Sequence, residues 1–506
     1  MYGYHIFYIM QIKKQHTALI LAAGSGTRIA NKYKIPKCML LVKNKKILDY
    51  QLESFKYAGV NNIFIVTGYK STLIKKNLKK YKKSLNIIVI ENKIFDKSNN
   101  MYSAYLAKKF LKDKNLIICN GDVVVDKKVV KNLINGKKDN EIAVDNKIYN
   151  DESMKVSVRY DNKIVDISKK IFKDKSDGCS IDFYKMSSNT SASFFEYIEK
   201  HIKKFGKKDW TEVALKKILN KNKFYPNYLN SLKWHEIDNY EDLIHANNKF
   251  SNLKDKILKK YDNFILDIDG TTFKKHSPIN GTELFLKNLK RLKKKIIFLS
   301  NNSSMSFMDF KKIFLKVNFN LKKSNMIISS DVLIKYLKLN KIKSVYPLAN
   351  QKFIQNLKKH KIKINSINPE FIVVTYDDEL SYKKLQLTCE LINNGIKILS
   401  THDDMFYPSK YGPIPDAGSI LSLIEKTTNK IPLKIFGKPS SEIKKLIKLK
   451  GKTIVIGDRI TKDIQFAKNC NYDSALVLSG AENTNKFNLK KNAHPNYILA
   501  SIADLN

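Results

Sequence analysis

Ala18-Leu-Ile-Leu-Ala-Ala-Gly-Ser-Gly-Thr-Arg28 and, in the second half of the chain, Phe264-Ile-Leu-Asp-Ile-Asp-Gly-Thr271 decide the fold. Each is a short apolar run that ends in glycine and charged or hydroxyl residues, which is how a buried parallel strand enters a βα unit. Working outward, Ile63–Thr67, Asn86–Ile90 and Leu116–Cys119 read as further strands, with the amphipathic stretch Leu48–Ala58 between them. Ile296–Ser300, Phe371–Thr375, Ile396–Ser400 and Thr453–Ile456 do the same around the second run. Strands alternating with helices predict an α/β protein with two Rossmann-like parallel-sheet domains, covered on both faces. The polar, lysine-rich stretch Asn247–Lys260 has no strand signal and separates them. The expected division is an N-terminal extension at 1–16, a first domain at 17–250, a linker at 251–260 and a second domain at 261–506.

The 506 residues suffice for conventional cores in more than one domain. No apolar run approaches the roughly 18–20 residues of a membrane span, and no repeat of 20–50 residues is present. The opening Met1–Met10 lacks a basic region and a small-residue cleavage site, so it is read as a short extension and not as a signal peptide. A net charge of +46 raises the question of nucleic acid, but only four of the 93 basic residues are arginine: Arg28, Arg159, Arg291 and Arg459. Readers of phosphates and bases favour the bidentate arginine fork. The lysines are therefore read as solvated faces of a chain from an AT-rich genome, and no nucleic-acid partner is expected. Five cysteines and nine histidines lie scattered, without Cys-x-x-Cys, His-x-His or His-x-x-x-His spacing. This excludes a disulfide framework and a zinc site, and fits a reducing cytoplasm.

In the first run, Gly24 and Gly26 let the backbone turn tightly and bring its N–H groups against phosphate oxygens. Pro36-Lys37 follows with a cation for the same phosphates. The plainer readings are turn glycines, a surface lysine at Lys37, a helix cap at Asp122 and a cap or turn residue at Asp238. The whole string resembles the signature of nucleoside-triphosphate transferases of the sugar-nucleotide and MobA-like type. Ser98-Asn-Asn-Met-Tyr-Ser103, Asn120-Gly-Asp122, Ser153-Met-Lys-Val156, Ile167-Ser-Lys169, Trp234-His-Glu-Ile-Asp238 and Glu241-Asp-Leu243 narrow the resemblance to phosphocholine cytidylyltransferase-like members, over about residues 17–250. The resemblance implies Mg²⁺ held by Asp122 and Asp238, and phosphates neutralised by Arg28 and Lys37. It further implies a nucleotide cradle of Leu21, Ala22, Ala23, Gly24, Ser25, Gly26 and Thr27 with Asn100 and Ser103. Tyr102, Tyr105, Tyr184 and Trp210 are candidate faces for a choline cation. Where relatives often read Gly-Glu-Tyr-x-Gly, this chain has Gly178-Cys-Ser-Ile-Asp182, which leaves phosphoethanolamine, 2-aminoethylphosphonate and a phosphorylated polyol open as acceptors.

In the second run, Asp267 and Asp269 are spaced i, i+2 at a strand end, so both carboxylates fall on one side. Two such groups can divide the work of nucleophile and general acid. Ser300-Asn-Asn302, Gly437-Lys-Pro439 and Gly457-Asp-Arg-Ile-Thr-Lys-Asp463 follow at later strand ends. The four motifs in this order resemble the haloacid dehalogenase superfamily of phosphatases, in its NagD-like and nitrophenylphosphatase-like branch. The resemblance implies a nucleophile at Asp267, an acid/base at Asp269, and phosphoryl stabilisation by Ser300 and Lys438 beside Asn301. It also implies Mg²⁺ held by Asp267, the Asp269 carbonyl and Asp458, with Asp463 near, and a large α/β cap over about 325–430. His402 is read as structural, and Asp416 as a turn residue or a substrate contact from the cap.

These readings predict a bifunctional cytoplasmic enzyme. One half transfers a nucleotidyl group, CMP from CTP, to a small phosphorylated or phosphonate head group; the other is a Mg²⁺-dependent phosphatase. The alternatives are a sugar-1-phosphate nucleotidyltransferase, a C-terminal half that only regulates, and a basic nucleic-acid binder. A homo-oligomer is left open.

Overall fold

The computed structural model describes residues 15–26, 29, 34–149, 153–303, 305–409, 412–447, 449–481 and 494–506. Nearly all of the N-terminal extension, together with Thr27 and Arg28, lies outside the described residues. Contacts divide the chain into two units, Met1–Ser251 and Asn252–Asn506.

The first unit is built on β1 (Thr17–Ala22), β2 (Asn62–Thr67), β3 (Asn86–Glu91) and β4 (Leu116–Asn120). Along β1 the side chains part by alternation: Ala18, Ile20 and Ala22 enter one core, Leu19 and Leu21 the other. This period of two, buried on both faces, explains why the run is apolar throughout. The strands are parallel in the order β4-β1-β2-β3, with Leu21 opposite Asn120. The helix α1 (Ile47–Tyr57) buries Leu48, Leu52 and Phe55.

Beyond β4 the sheet turns antiparallel, which the apolar runs do not announce. β5 (Val123–Val125), β6 (Glu141–Asp145), β7 (Lys155–Val158) and β8 (Ile164–Ser168) lead to β9 (Gly178–Met186), which pairs antiparallel with β4, β6 and β7. β10 (Tyr225–Tyr228) lies parallel to β6, and β11 (Trp234–Glu236) forms an antiparallel ladder with β5. That ladder sets Glu236 opposite Val123, the residue after Asp122. The helices α2 (Asn100–Leu106), α3 (Ser188–Phe205) and α4 (Thr211–Ile218) belong to the same unit, and α5 (Tyr240–Phe250) ends it with an Asn239–Asp242 capping box.

The second unit begins where a linker was expected. Residues Leu253–Lys260 form α6, with Ile257 and Leu258 buried in the core beside Tyr261. Four lysines on its other positions gave the stretch its linker-like composition. A six-stranded parallel sheet follows, from β12 (Asn263–Asp267), β13 (Lys295–Ser300), β14 (Met326–Ile328), β20 (Thr453–Gly457), β21 (Asp473–Val477) and β22 (Tyr497–Leu499), in the order β14-β13-β12-β20-β21-β22. Between β14 and β20 the chain builds a second parallel sheet of β15 (Ser344–Leu348), β16 (Lys363–Ile364), β17 (Phe371–Val374), β18 (Ile398–Ser400) and β19 (Lys434–Ile435), ordered β16-β15-β17-β18-β19. The cap sheet thus spans 344–435. Met326–Ile328, expected inside the cap, is the edge of the main sheet instead. The two sheets share a core in which Ile265, Leu299 and Val455 meet Val345, Val373 and Leu399.

Candidate active sites

In the first unit the loop after β1 and the turn after β4 lie together, because Leu21 and Asn120 are register partners. The Gly121 N–H donates to the Leu21 carbonyl at 2.8 Å, so both strand ends open at the carboxyl edge, the usual ligand side of an open α/β sheet. Lys37 reaches this edge, with Nζ 3.1 Å from Asp122 Oδ2 and 2.5 Å from Asp238 Oδ1. Asp122 sits between two strands and caps no helix. Gly26 has φ +61°, and a Cβ there would fall 2.5 Å from the Lys37 Cγ, so a side chain would displace the lysine. The cavity is about 330 Å³. Leu21, Ala23, Gly24, Asn100, Ser103, Lys37, Asp122 and Asp238 are on its wall. Ala22 turns its side chain into the opposite core, and Ser25 and Gly26 lie off the wall. Asn100 is held by Asn120 at 3.3 Å and by the Thr211 N–H at 2.9 Å. Ser103 accepts from Asn92 at 3.1 Å.

Glu236 was not singled out from its motif. Its carboxylate joins those of Asp122 and Asp238, with ligand atoms within 4.8 Å of one another. Burial, then repulsion from Asp182, Asp122 and Asp238, raises the Glu236 carboxyl well above the ordinary range. Burial alone would lower the Lys37 ammonium, but Asp122 and Asp238 outweigh it and raise it. Asp122 Oδ1 is buried and accepts no hydrogen bond among the described residues. Three hard oxygen donors crowded together, one of them orphaned, suit Mg²⁺.

Asp182, Glu212, Lys169 and Trp210 also line this cavity. Burial, then Glu212, pushes the Asp182 carboxyl up to about 7. Of the aromatics considered for a cation, only Trp210 lines the cavity; Tyr184 is buried, and its hydroxyl donates to Asp182 at 2.7 Å. Tyr102 and Tyr105 lie off the wall and pair with each other, ring centroids 6.1 Å apart.

In the second unit the motifs converge at the carboxyl edge of the six-stranded sheet. Asp267 ends β12, Ser300 ends β13 and Asp458 follows β20. Lys438 Nζ bridges Asp267 Oδ1 at 2.5 Å and Asp463 Oδ1 at 2.6 Å. Its backbone N–H donates to Asn301 Oδ1 at 2.7 Å, and Asn301 Nδ2 returns a bond to the Lys438 carbonyl at 3.1 Å. Asn301 therefore fixes the loop that carries the lysine. Ser300 and Asp269 face the same cavity. Gly270 has φ +90°, and a Cβ there would lie 2.3 Å from Asp458 Oδ2. That close approach, and the backbone conformation itself, call for glycine.

Asp267, Asp458 and Asp463 form a second group of carboxylates within 4.8 Å, all buried. Burial raises the Asp267 carboxyl despite the pull of Lys438, and Asp463 and Asp458 add repulsion. Burial, then Asp463, pushes Asp458 up to about 6. Lys438 stays raised because its two carboxylates outweigh burial. The set has the oxygen chemistry of a Mg²⁺ site, with Asp463 closer in than the sequence reading placed it. The cap contributes Asp404, Phe406 and Asp416 to the wall of a cavity of about 60 Å³. Asp416 also caps the helix α7 (Ala417–Thr428), accepting from the Ala417 N–H at 2.7 Å, and faces His402 at 3.6 Å. Arg459 and Lys462 join the main sheet to cap residue Asp404 at 3.3 and 3.2 Å. Arg459 and Lys462 belong to the last motif, but nothing in its spacing announced their pairing with Asp404.

Fold and sites define two phosphoryl-handling α/β enzyme domains on one chain. Residues 18–153 match the MobA-like NTP transferase domain; residues 264–363 match the haloacid dehalogenase-like hydrolases and 435–505 the HAD-hydrolase-like domain. The chain joins a nucleotidyltransferase domain to a haloacid dehalogenase-type phosphatase domain. It is 40% identical over 134 residues to the CTP:phosphoglutamine cytidylyltransferase of Campylobacter jejuni subsp. jejuni serotype O:2, a match to 25% of this chain and 52% of that relative. It is 27% identical over 250 residues to sugar-phosphatase AraL of Bacillus subtilis, covering 48% of this chain and 90% of the relative. The solved 4-nitrophenylphosphatase of Thermotoga maritima is 29% identical, with a TM-score of 0.47, over 49% of this chain and 97% of that one. Among the described residues no helix is long and apolar enough to cross a membrane.

Proposed function

We propose that the first unit transfers CMP from CTP to a small phosphorylated or phosphonate head group, and that the second hydrolyses a small phosphomonoester. The observation that supports the first reading is Lys37, set between Asp122 and Asp238 on the wall of a cavity that Ala23 and Gly24 also line. An acceptor oxygen attacks the α-phosphorus, the bond to the bridging oxygen breaks, and pyrophosphate leaves. Positioning and neutralisation of charge carry such a step, since no covalent intermediate is required. The glycine-loop backbone and Lys37 hold the triphosphate, and Asn100 and Ser103 border the nucleotide. Asp122, Asp238 and Glu236 would hold Mg²⁺, which would supply further neutralisation of the phosphates. Cytidine is the favoured base because the cytidylyltransferase relative shares 40% of the aligned residues.

In the second unit Asp267 Oδ attacks phosphorus while the bond to the leaving alcohol breaks, and Asp269 gives that oxygen its proton. Asp269 then takes a proton from water, which attacks the aspartyl-phosphate and releases inorganic phosphate. Lys438 and Ser300 bind the phosphoryl oxygens, and Asn301 holds the loop that carries Lys438. Asp267, Asp458 and Asp463 would hold Mg²⁺, which would offset repulsion between the carboxylate and the phosphate dianion.

A double readout tests both halves. Pyrophosphate is followed with CTP, ATP, GTP or UTP and candidate head groups, and phosphate is followed from sugar phosphates and nucleoside monophosphates. The expected result is that Asp122→Asn loses only the first activity and Asp267→Asn only the second. Full phosphatase activity in Asp267→Asn would remove the aspartyl-phosphate reading.

A further inference from the structure

Resting on the proposed cytidylyl transfer, we propose that Asp182 and Glu212 form an acceptor subsite for a primary ammonium group. The acceptor is then a zwitterion that carries an N–H cation as well as its phosphate or phosphonate.

Both carboxylates are on the cavity wall, yet only 7% and 5% exposed. Asn120 Nδ2 donates to Asp182 Oδ2 at 2.9 Å, and the Tyr184 hydroxyl lies 2.7 Å from Asp182 Oδ1 and 3.3 Å from Glu212 Oε1. These donors are neutral. Among the described residues no lysine, arginine or histidine makes a salt bridge to either acid. Buried carboxylates without a cation are costly, and neutral side chains would fill the same space at less expense to stability. Asp182 is held at φ +57°, a left-handed conformation that aspartate and asparagine tolerate. A cation from outside accounts for the buried pair of acids.

Two further wall residues fit the rest of such a ligand. Trp210, two residues before Glu212, is about half exposed, and the Lys169 ammonium lies over its ring, Nζ 5.7 Å from the centroid. No carboxylate among the described residues pairs with Lys169. Lys169 matches the acceptor's anionic end as the two acids match its cationic end. Carboxylate oxygens reward N–H donors, which a trimethylammonium group does not have. A hydroxyl in place of the ammonium could donate a single hydrogen bond and would bring no positive charge to the pair.

The test uses the full chain with CTP, Mg²⁺ and four acceptors: 2-aminoethyl phosphate, 2-aminoethylphosphonate, phosphocholine and 2-hydroxyethyl phosphate. The expected kcat/KM for pyrophosphate release favours the primary amines over the hydroxyl and trimethyl compounds by at least about tenfold. Asp182→Asn keeps a residue that tolerates positive φ, and Glu212→Gln keeps shape. Each should lower kcat/KM for the amines by about tenfold and narrow the preference, with KM for CTP changed less than about twofold. Equal use of the hydroxyl compound, preference for phosphocholine, or an unchanged preference in both variants overturns the subsite while leaving cytidylyl transfer standing. No pyrophosphate with any acceptor sinks the transferase reading, and this inference with it.

Discussion

Lys37 is the residue on which the first site turns. It is the cation that bridges Asp122 and Asp238, and its stem rests against Gly26, so loop and acids are tied through one side chain. Lys37→Met keeps the stem and removes the charge. The expected outcome is a loss of about 10²–10³ in kcat for pyrophosphate release, the scale of removing one preorganised electrostatic contact. Phosphate release from the second unit should persist, and an unaltered kcat would remove Lys37 from the chemistry. Lys37, Asp122 and Asp238 were legible because each sits in a compact motif. Glu236 was not: its place beside Asp122 depends on the β5–β11 ladder, which joins segments more than a hundred residues apart. Asp182 and Glu212 meet only because β9 lies antiparallel on β4 and α4 returns to the same cavity. Tertiary pairing of that kind leaves no local pattern.

At the scale of elements, the parallel strands were readable because burial on both faces forces uninterrupted apolar runs. The antiparallel half of the first sheet was not, since Lys155, Asp182 and Lys185 are buried within strands that therefore look polar. α6 was hidden for the opposite reason: its lysines face outward and only a narrow stripe is apolar. That stripe belongs to the phosphatase unit, so it should behave as core. Ile257→Ala is expected to destabilise the second unit by roughly 2–5 kcal/mol, as for other fully buried aliphatic truncations. The check is urea unfolding followed by phosphate release, with pyrophosphate release from the same samples as the internal comparison. A midpoint shifted equally for both activities, or for neither, would count against α6 as part of the second core.

For the molecule as a whole, the recurring device is a group of three carboxylates with a lysine among them, built once in each unit. Each group collects more negative charge than its lysine balances, and burial raises Glu236, Asp267 and Asp458. A divalent cation relieves that repulsion, so its removal should be felt in stability as well as in activity. Chelation with EDTA is expected to abolish both pyrophosphate and phosphate release, and excess Mg²⁺ to restore both. Binding to the folded form alone stabilises by about 2.7 kcal/mol at a hundredfold excess over Kd. For units of this size each kcal/mol raises the midpoint by roughly 2–4 °C. Mg²⁺ should therefore raise thermal unfolding by about 5–10 °C in each unit. Asp458→Asn should remove the gain in the second unit only, and Asp122→Asn in the first only. Millimolar Mg²⁺ that leaves both midpoints where EDTA put them would mean that neither acidic group is a metal site, whatever activity the chain retains.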